Sequence, residues 1–149
     1  MCSSDLNNTT NSITGSTTYD QVGKGLLALE NGNYIIFSSE WDNGSTANVG
    51  AVTWASGSTS SNFSVAAANS LIGSTAGDLV GSVLPPGYRY SNSKFVVGSP
   101  LWDNGATYNV GAVTVLDGSS SFSGTISSSN SLIGSSAGDL VGKIGRAHV

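Results

Sequence analysis

The sequence predicts an all-β chain of tandem four-stranded antiparallel blades, a partial β-propeller. Three observations carry this expectation. The stretch EWDNGSTANVGAVTWASG at 40 to 57 returns as LWDNGATYNVGAVTVLDG at 101 to 118. A second phrase occurs three times: NSITGSTTYDQVG from Asn11, NSLIGSTAGDLVG from Asn69 and NSLIGSSAGDLVG from Asn130. No segment has convincing helical periodicity, and short apolar runs alternate with Asn, Gly, Ser and Thr instead.

The period is long and regular. The WDNG phrase, the last two copies of the NS phrase, and the runs NYIIFSS (33 to 39) and KFVVGSP (94 to 100) all recur after 61 residues, while the first interval of the NS phrase is 58. The difference lies between Asp78 and Lys94, where SVLPPGYRYSNS is longer than its counterpart KGLLALENGN. Each period reads as four strands. Leu26, Leu27 and Leu29 mark the first; Tyr34-Ile35-Ile36-Phe37, apolar on both faces, is written as a strand buried on both sides. Gly50 to Trp54 is β-branched, and Phe63-Ser64-Val65, leading into Leu71-Ile72, is the fourth. Asp42-Asn43-Gly44 and Asp103-Asn104-Gly105 are turn signals, because Asn and Gly tolerate positive φ. Four antiparallel strands per long period fit a propeller blade. A β-solenoid is the alternative, but its coil takes about 20 to 30 residues, and no similarity is visible at a half or third of this period.

Both chain ends read as foreign. Ile144 to Val149 can be encoded by ATC GGA AGA GCA CAC GTC, whose reverse complement, started at GTG, gives Met1-Cys2-Ser3-Ser4-Asp5. This matches a short-read sequencing adapter. The expected organisation is therefore 1–6 adapter-derived, 7–30 the end of a preceding repeat and the first strand of blade one, 31–82 the rest of blade one, 83–143 the second blade, and 144–149 adapter-derived. The interior then reads as a fragment of a longer open reading frame. Setting the ends aside removes Cys2 and His148, the only cysteine and histidine, and with them a His-based metal site, a thiol nucleophile and a Ser-His-Asp triad.

Composition narrows the function classes. The net charge is −4 and only 9% of residues are charged, against about a quarter in an ordinary cytosolic domain. No basic stripe is present to displace counterions from phosphate, so no nucleic-acid partner is expected. No apolar run is long enough to span a bilayer, so no membrane insertion is expected. A polar, uncharged chain with regularly spaced apolar clusters suits an exported repeat protein, secreted or on a bacterial cell surface.

NGNYIIFSSEWDNG, NVGAVTW and NSLIGSTAGDLVG resemble an uncharacterised bacterial repeat found in arrays in predicted exported and adhesin-like proteins. More distantly, FVVGSPLWDNGATYNVGAVTVLDG resembles the FG-GAP repeat of integrin-α-type propellers. That second resemblance implies a calcium loop with spaced carboxylates just before the apolar strand. Here the matching stretches are LENGNY and YSNSKF, with Glu30 the only acid and Lys94 near a ligand's place, so no calcium or other metal site and no cofactor is expected.

Trp41 and Trp102 start the repeated loop, where an exposed indole would stack on a sugar ring and a buried one would wedge between blades with its N–H bonded to one partner. Packing is the favoured reading. Asp42 and Asp103 are expected to cap their own turns by accepting backbone N–H groups two residues on; as glycosidase acids they would need a second carboxylate, and Glu40 beside Asp42 is replaced by Leu101 in the second copy. Asp20, Asp78 and Asp139 share one register of the NS phrase and are expected to tie a turn together. Tyr88-Arg89-Tyr90, in the inserted loop after Pro85-Pro86-Gly87, is the one non-repeated feature and a candidate partner contact. The leading expectation is a non-enzymatic structural or adhesive module. Its partners would be neighbouring repeats of the same chain and surface glycans or proteins. A carbohydrate-binding propeller, and part of a glycan-active enzyme with catalytic residues outside the chain, are the alternatives.

Overall fold

The computed structural model describes residues 11–83 and 93–143. The chain order is β1 Ile13–Thr14, β2 Gly25–Ala28, β3 Tyr34–Ser38, β4 Ala51–Ala55, β5 Phe63–Ser64, β6 Ser70–Ile72, β7 Lys94–Ser99, β8 Ala112–Asp117, β9 Gly124–Thr125 and β10 Ser131–Ile133. Helix is absent from the described residues, as the sequence predicts. Blade one is the antiparallel sheet β2-β3-β4-β6. One period later β7, β8 and β10 repeat it, with Val83 bridging to Gly98 where blade one has its first strand.

The fourth strand differs from the expectation. Phe63–Ser64 does not close blade one; Ser70–Ile72 does, pairing Ala51 with Ile72 and Thr53 with Ser70. Phe63–Ser64 leaves the blade and pairs in parallel with Ile13–Thr14 of the preceding repeat. The same departure recurs at β9, which adds a parallel fifth strand to the edge of blade one, Leu71 opposite Gly124. Local alternation cannot distinguish these two short segments, because both satisfy period two and only the partner differs.

Burial follows the pleat. In β3, Ile35 and Phe37 point toward the next repeat while Ile36 lies on the opposite side, and all three are buried. The larger core lies between blades: Leu29, Ile35, Phe37, Val52, Leu71 and Val80 of blade one meet Phe95, Val97, Trp102, Val110, Ala112 and Ile126 of blade two. A smaller core of Trp41, Val49, Ala51, Val65 and Ile72 packs against Ile13 and Val22 of the preceding repeat. A single blade has one apolar face too many to stand alone, so the hydrophobic free energy of about 25 cal/mol per Å² of apolar surface is realised at the repeat boundaries.

Gly50 and Gly111 fix how each blade folds back. A Cβ on Gly50 would lie 2.3 Å from the backbone N of Val80, and one on Gly111 would lie 2.3 Å from that of Val141. The close approach permits Val80 N–H to donate to Val49 O at 3.1 Å and Val141 N–H to Val110 O at 3.1 Å. With φ of 77° and 73°, both positions also favour glycine.

Candidate functional site

The repeated phrases meet at the boundary between repeats. The DNG segment forms a tight hairpin in which Asn43 and Thr46 exchange backbone hydrogen bonds at 3.0 and 3.1 Å, with Gly44 at φ 62°. Asn104 and Thr107 repeat it. Because the hairpin satisfies its own backbone, Asp42 is not needed there. Its Oδ1 accepts the N–H of Asn48, six residues on, at 2.7 Å, and Asp103 takes Asn109 at 2.7 Å. The expected bond to the residue two positions on is replaced by one that closes the whole loop.

The NS-phrase aspartates clasp that loop from the preceding repeat. Asp78 is fully buried; its Oδ2 accepts N–H bonds from Ser74 (2.7 Å) and Thr75 (2.9 Å), and its Oδ1 accepts the Thr75 hydroxyl at 2.7 Å. Oδ1 also accepts the backbone N–H of Asp103, across the boundary, at 3.0 Å. Asp20 makes the same set to Ser16, Thr17 and, across its boundary, the N–H of Asp42 at 3.1 Å. Burial pushes the Asp20 carboxyl up, but the Thr17 hydroxyl and the N–H groups of Thr17, Asp42 and Ser16 outweigh it and hold the group below the usual carboxylate range. Asp139, at the same register but exposed, holds Ser135 and Ser136 at 2.8 Å, and chiefly the Ser136 N–H lowers its pKa.

Trp41 and Trp102 sit inside this boundary, 2% and 3% exposed, in the two cores that join neighbouring repeats. Neither indole offers a free face for a sugar ring, which removes them as ligand contacts. Among the described residues, each Nε1, with the Oγ of Ser38 and Ser99 at the equivalent position of each blade, lacks a hydrogen-bond partner, unlike the single partner expected for a wedged Trp. Tyr88, Arg89 and Tyr90 lie outside the described residues.

Sequence reasoning missed a second latch. Asn31 Nδ2 (3.1 Å), Asn33 Nδ2 (3.1 Å) and Trp54 Nε1 (2.9 Å) all donate to one carbonyl, that of Gly118 in blade two. A Cβ on Gly118 would stand 2.3 Å from Leu29 Cδ1 and force the end of that buried side chain aside. The available signal was that Trp54 is replaced by Val115 one period later, so its role could not be a repeated one. Among the described residues the exposed aromatic rings are instead Tyr19 and Tyr108, at 84% and 66%.

A cleft of about 300 Å³ beside the first boundary is lined in part by Lys24, Phe37, Glu40 and Ser82. Lys24 and Gln21 both bond the Glu40 carboxylate. Asp42, the nearby acid in sequence, is committed to Asn48 and the Thr17 hydroxyl. Among the described residues no group of three His, Cys, Asp or Glu side chains is placed to hold a metal ion.

A family model matches residues 6–24, 28–82 and 89–143. The chain belongs to that family, a repeat of unknown function (DUF5650). Each matched DUF5650 segment ends one residue after the Gly of the D-x-V-G tetrad, at Lys24, Ser82 and Lys143, so the family unit finishes where one repeat hands over to the next. No curated protein and no solved structure matches the chain.

Proposed function

We propose that this DUF5650 array is a non-enzymatic structural module of a large exported or cell-surface bacterial protein, in which stacked blades hold variable loops at fixed spacing for adhesive contact. One observation carries the reading. The acids that recur with the period, Asp20, Asp78, Asp42 and Asp103, spend their carboxylates on backbone N–H groups at or beside repeat boundaries. A carboxylate that accepts hydrogen bonds on both of its oxygens from the surrounding turns acts as a brace. Following the FG-GAP likeness, the parent array would close into a propeller of about four to eight blades. Many weak loop contacts then add through effective concentration.

Beads coated with the chain at graded density test this. Retention on glycan- or protein-coated surfaces under flow should climb steeply with density and resist competition by free chain. Retention no greater than that of beads carrying an inert protein, or turnover of a glycan substrate by the chain, would defeat the proposal.

A further inference from the structure

We propose that the DNG hairpin of each repeat is a chemical modification site, where Asn43 and Asn104 lose their amide nitrogen to the glycine that follows and become aspartyl or isoaspartyl residues. The proposal is independent of the adhesive role. It rests on how differently the fold treats three copies of one dipeptide.

The chain contains three Asn-Gly pairs: Asn31-Gly32, Asn43-Gly44 and Asn104-Gly105. Glycine puts no side chain in the way of its own nitrogen, so the three start with the same intrinsic reactivity. At Asn31 every reacting group is occupied. Its Nδ2 donates to the Gly118 carbonyl at 3.1 Å, its Oδ1 accepts Asn33 N–H at 3.0 Å, and the attacking nitrogen, that of Gly32, donates to Leu29 O at 3.1 Å. Turning the side chain back onto Gly32 would break all three bonds and undo part of the latch to blade two. Asn69 and Asn130, which precede serines, are also held at both ends of the amide. Their Oδ1 atoms accept Ala66 and Ser127 N–H, and their Nδ2 atoms donate to Ser64 and Thr125 carbonyls, all at 2.9 Å.

The hairpin pairs are built the other way. Asn43 and Asn104 are exposed, and among the described residues neither their amides nor the N–H groups of Gly44 and Gly105 make a hydrogen bond. The backbone bonds that Asn43 exchanges with Thr46, and Asn104 with Thr107, are all that holds the tip. Short exposed tips of this kind open at little free-energy cost, and opening lets the side chain meet the glycine nitrogen.

The step balances with water as its only co-reactant. Water takes the proton of the Gly44 or Gly105 N–H; that nitrogen bonds the Asn Cγ, the Cγ–Nδ2 bond breaks, and ammonia leaves. Water then opens the five-membered imide at either carbonyl, which leaves a carboxylate, and so one added negative charge, at each hairpin. Opening at the backbone carbonyl routes the main chain through the former side chain. The carbonyl that accepts Thr46 or Thr107 N–H is then lost from the backbone. The hairpin adjoins Asp42 and Asp103, whose N–H groups the preceding repeat clasps, so the modification acts beside the repeat boundary.

Peptide mapping by mass spectrometry tests this on the full chain, aged at mildly alkaline pH either folded or in urea. In urea the three Asn-Gly pairs should convert at closely similar rates. In the folded chain Asn43 and Asn104 should still convert, while Asn31 lags by on the order of tenfold or more because three hydrogen bonds must open first. Isoelectric focusing of the aged folded chain should show acidic variants that disappear in the Asn43→Gln, Asn104→Gln double variant and persist in Asn31→Gln. Asn31 converting as fast as Asn43 in the folded chain, Asn43 and Asn104 remaining amides there, or acidic variants surviving the double substitution would each overturn the proposal.

Discussion

Asp78→Ala and Asp139→Ala are the same change at the same register of the same phrase, and the structure gives them different costs. Each removes a carboxylate that accepts two N–H groups of its own turn. Only Asp78 also holds a hydroxyl at 2.7 Å on its other oxygen and the Asp103 N–H, and only Asp78 is fully buried. A hydrogen bond to a charged group contributes about 1.5–3 kcal/mol, and a buried donor left unpaired costs about 1–3. These terms are not additive, so Asp78→Ala should cost about 3–5 kcal/mol, at the upper end of single substitutions. Exposure lets water replace the lost acceptor at Asp139, and that variant should cost much less. Urea and thermal melts of the two variants make the comparison. For a chain of this size the difference is on the order of 10 °C in melting temperature. Equal destabilisation by the two variants, or an Asp78→Ala loss within about 1 kcal/mol of Asp139→Ala, would refute the clasp as the element that joins repeats.

Other expectations can be checked the same way. Trp102→Ala should cost about 3–5 kcal/mol in a denaturant melt, as emptying a core between blades does, while binding of sugars should show no change attributable to an indole that is already buried. Trp54→Phe removes one donor to the Gly118 carbonyl while Asn31 and Asn33 remain, so the loss should be about 1 kcal/mol. Gly118→Ala drives a methyl into Leu29 and should cost about 1–3 kcal/mol in the same assay. Because Asp20 and Asp139 are held below the ordinary carboxylate range when folded, the unfolded chain binds their protons first as pH falls. The stability they confer is complete above about pH 4 and disappears as pH drops through the folded-state values, with no loss on the alkaline side. A melting temperature that stays flat from about pH 6 down to about pH 2 would contradict this.

Much of the blade was legible in the residues themselves. The apolar run Tyr34–Phe37 announced a strand covered on both faces, and the DNG triplets announced hairpins, because period and turn chemistry are local properties of the chain. The role of the NS-phrase aspartates was half legible: an Asp four residues after a Ser predicts a side-chain-braced turn, and that turn is there at Asp20, Asp78 and Asp139. Their second bond, to the next repeat's Asp42 or Asp103, was not legible, since it joins residues more than twenty positions apart. The candidate ligand residues fared differently. For Trp41 and Trp102 the wedge reading was favoured over the platform, yet an aromatic at a loop start carries no mark of which side of its ring will be covered, and burial decided it.

The sequence by itself determined the repeat unit, its all-β character and the positions of its turns. Only the tertiary structure decided which short strand closes a blade, that Phe63–Ser64 crosses to the preceding repeat, and that three donors converge on Gly118. The division has one physical reason. Backbone propensity and alternation are fixed by neighbours along the chain, whereas a parallel strand edge or an orphan carbonyl accepts any partner that packing brings within reach, and packing here is settled between repeats.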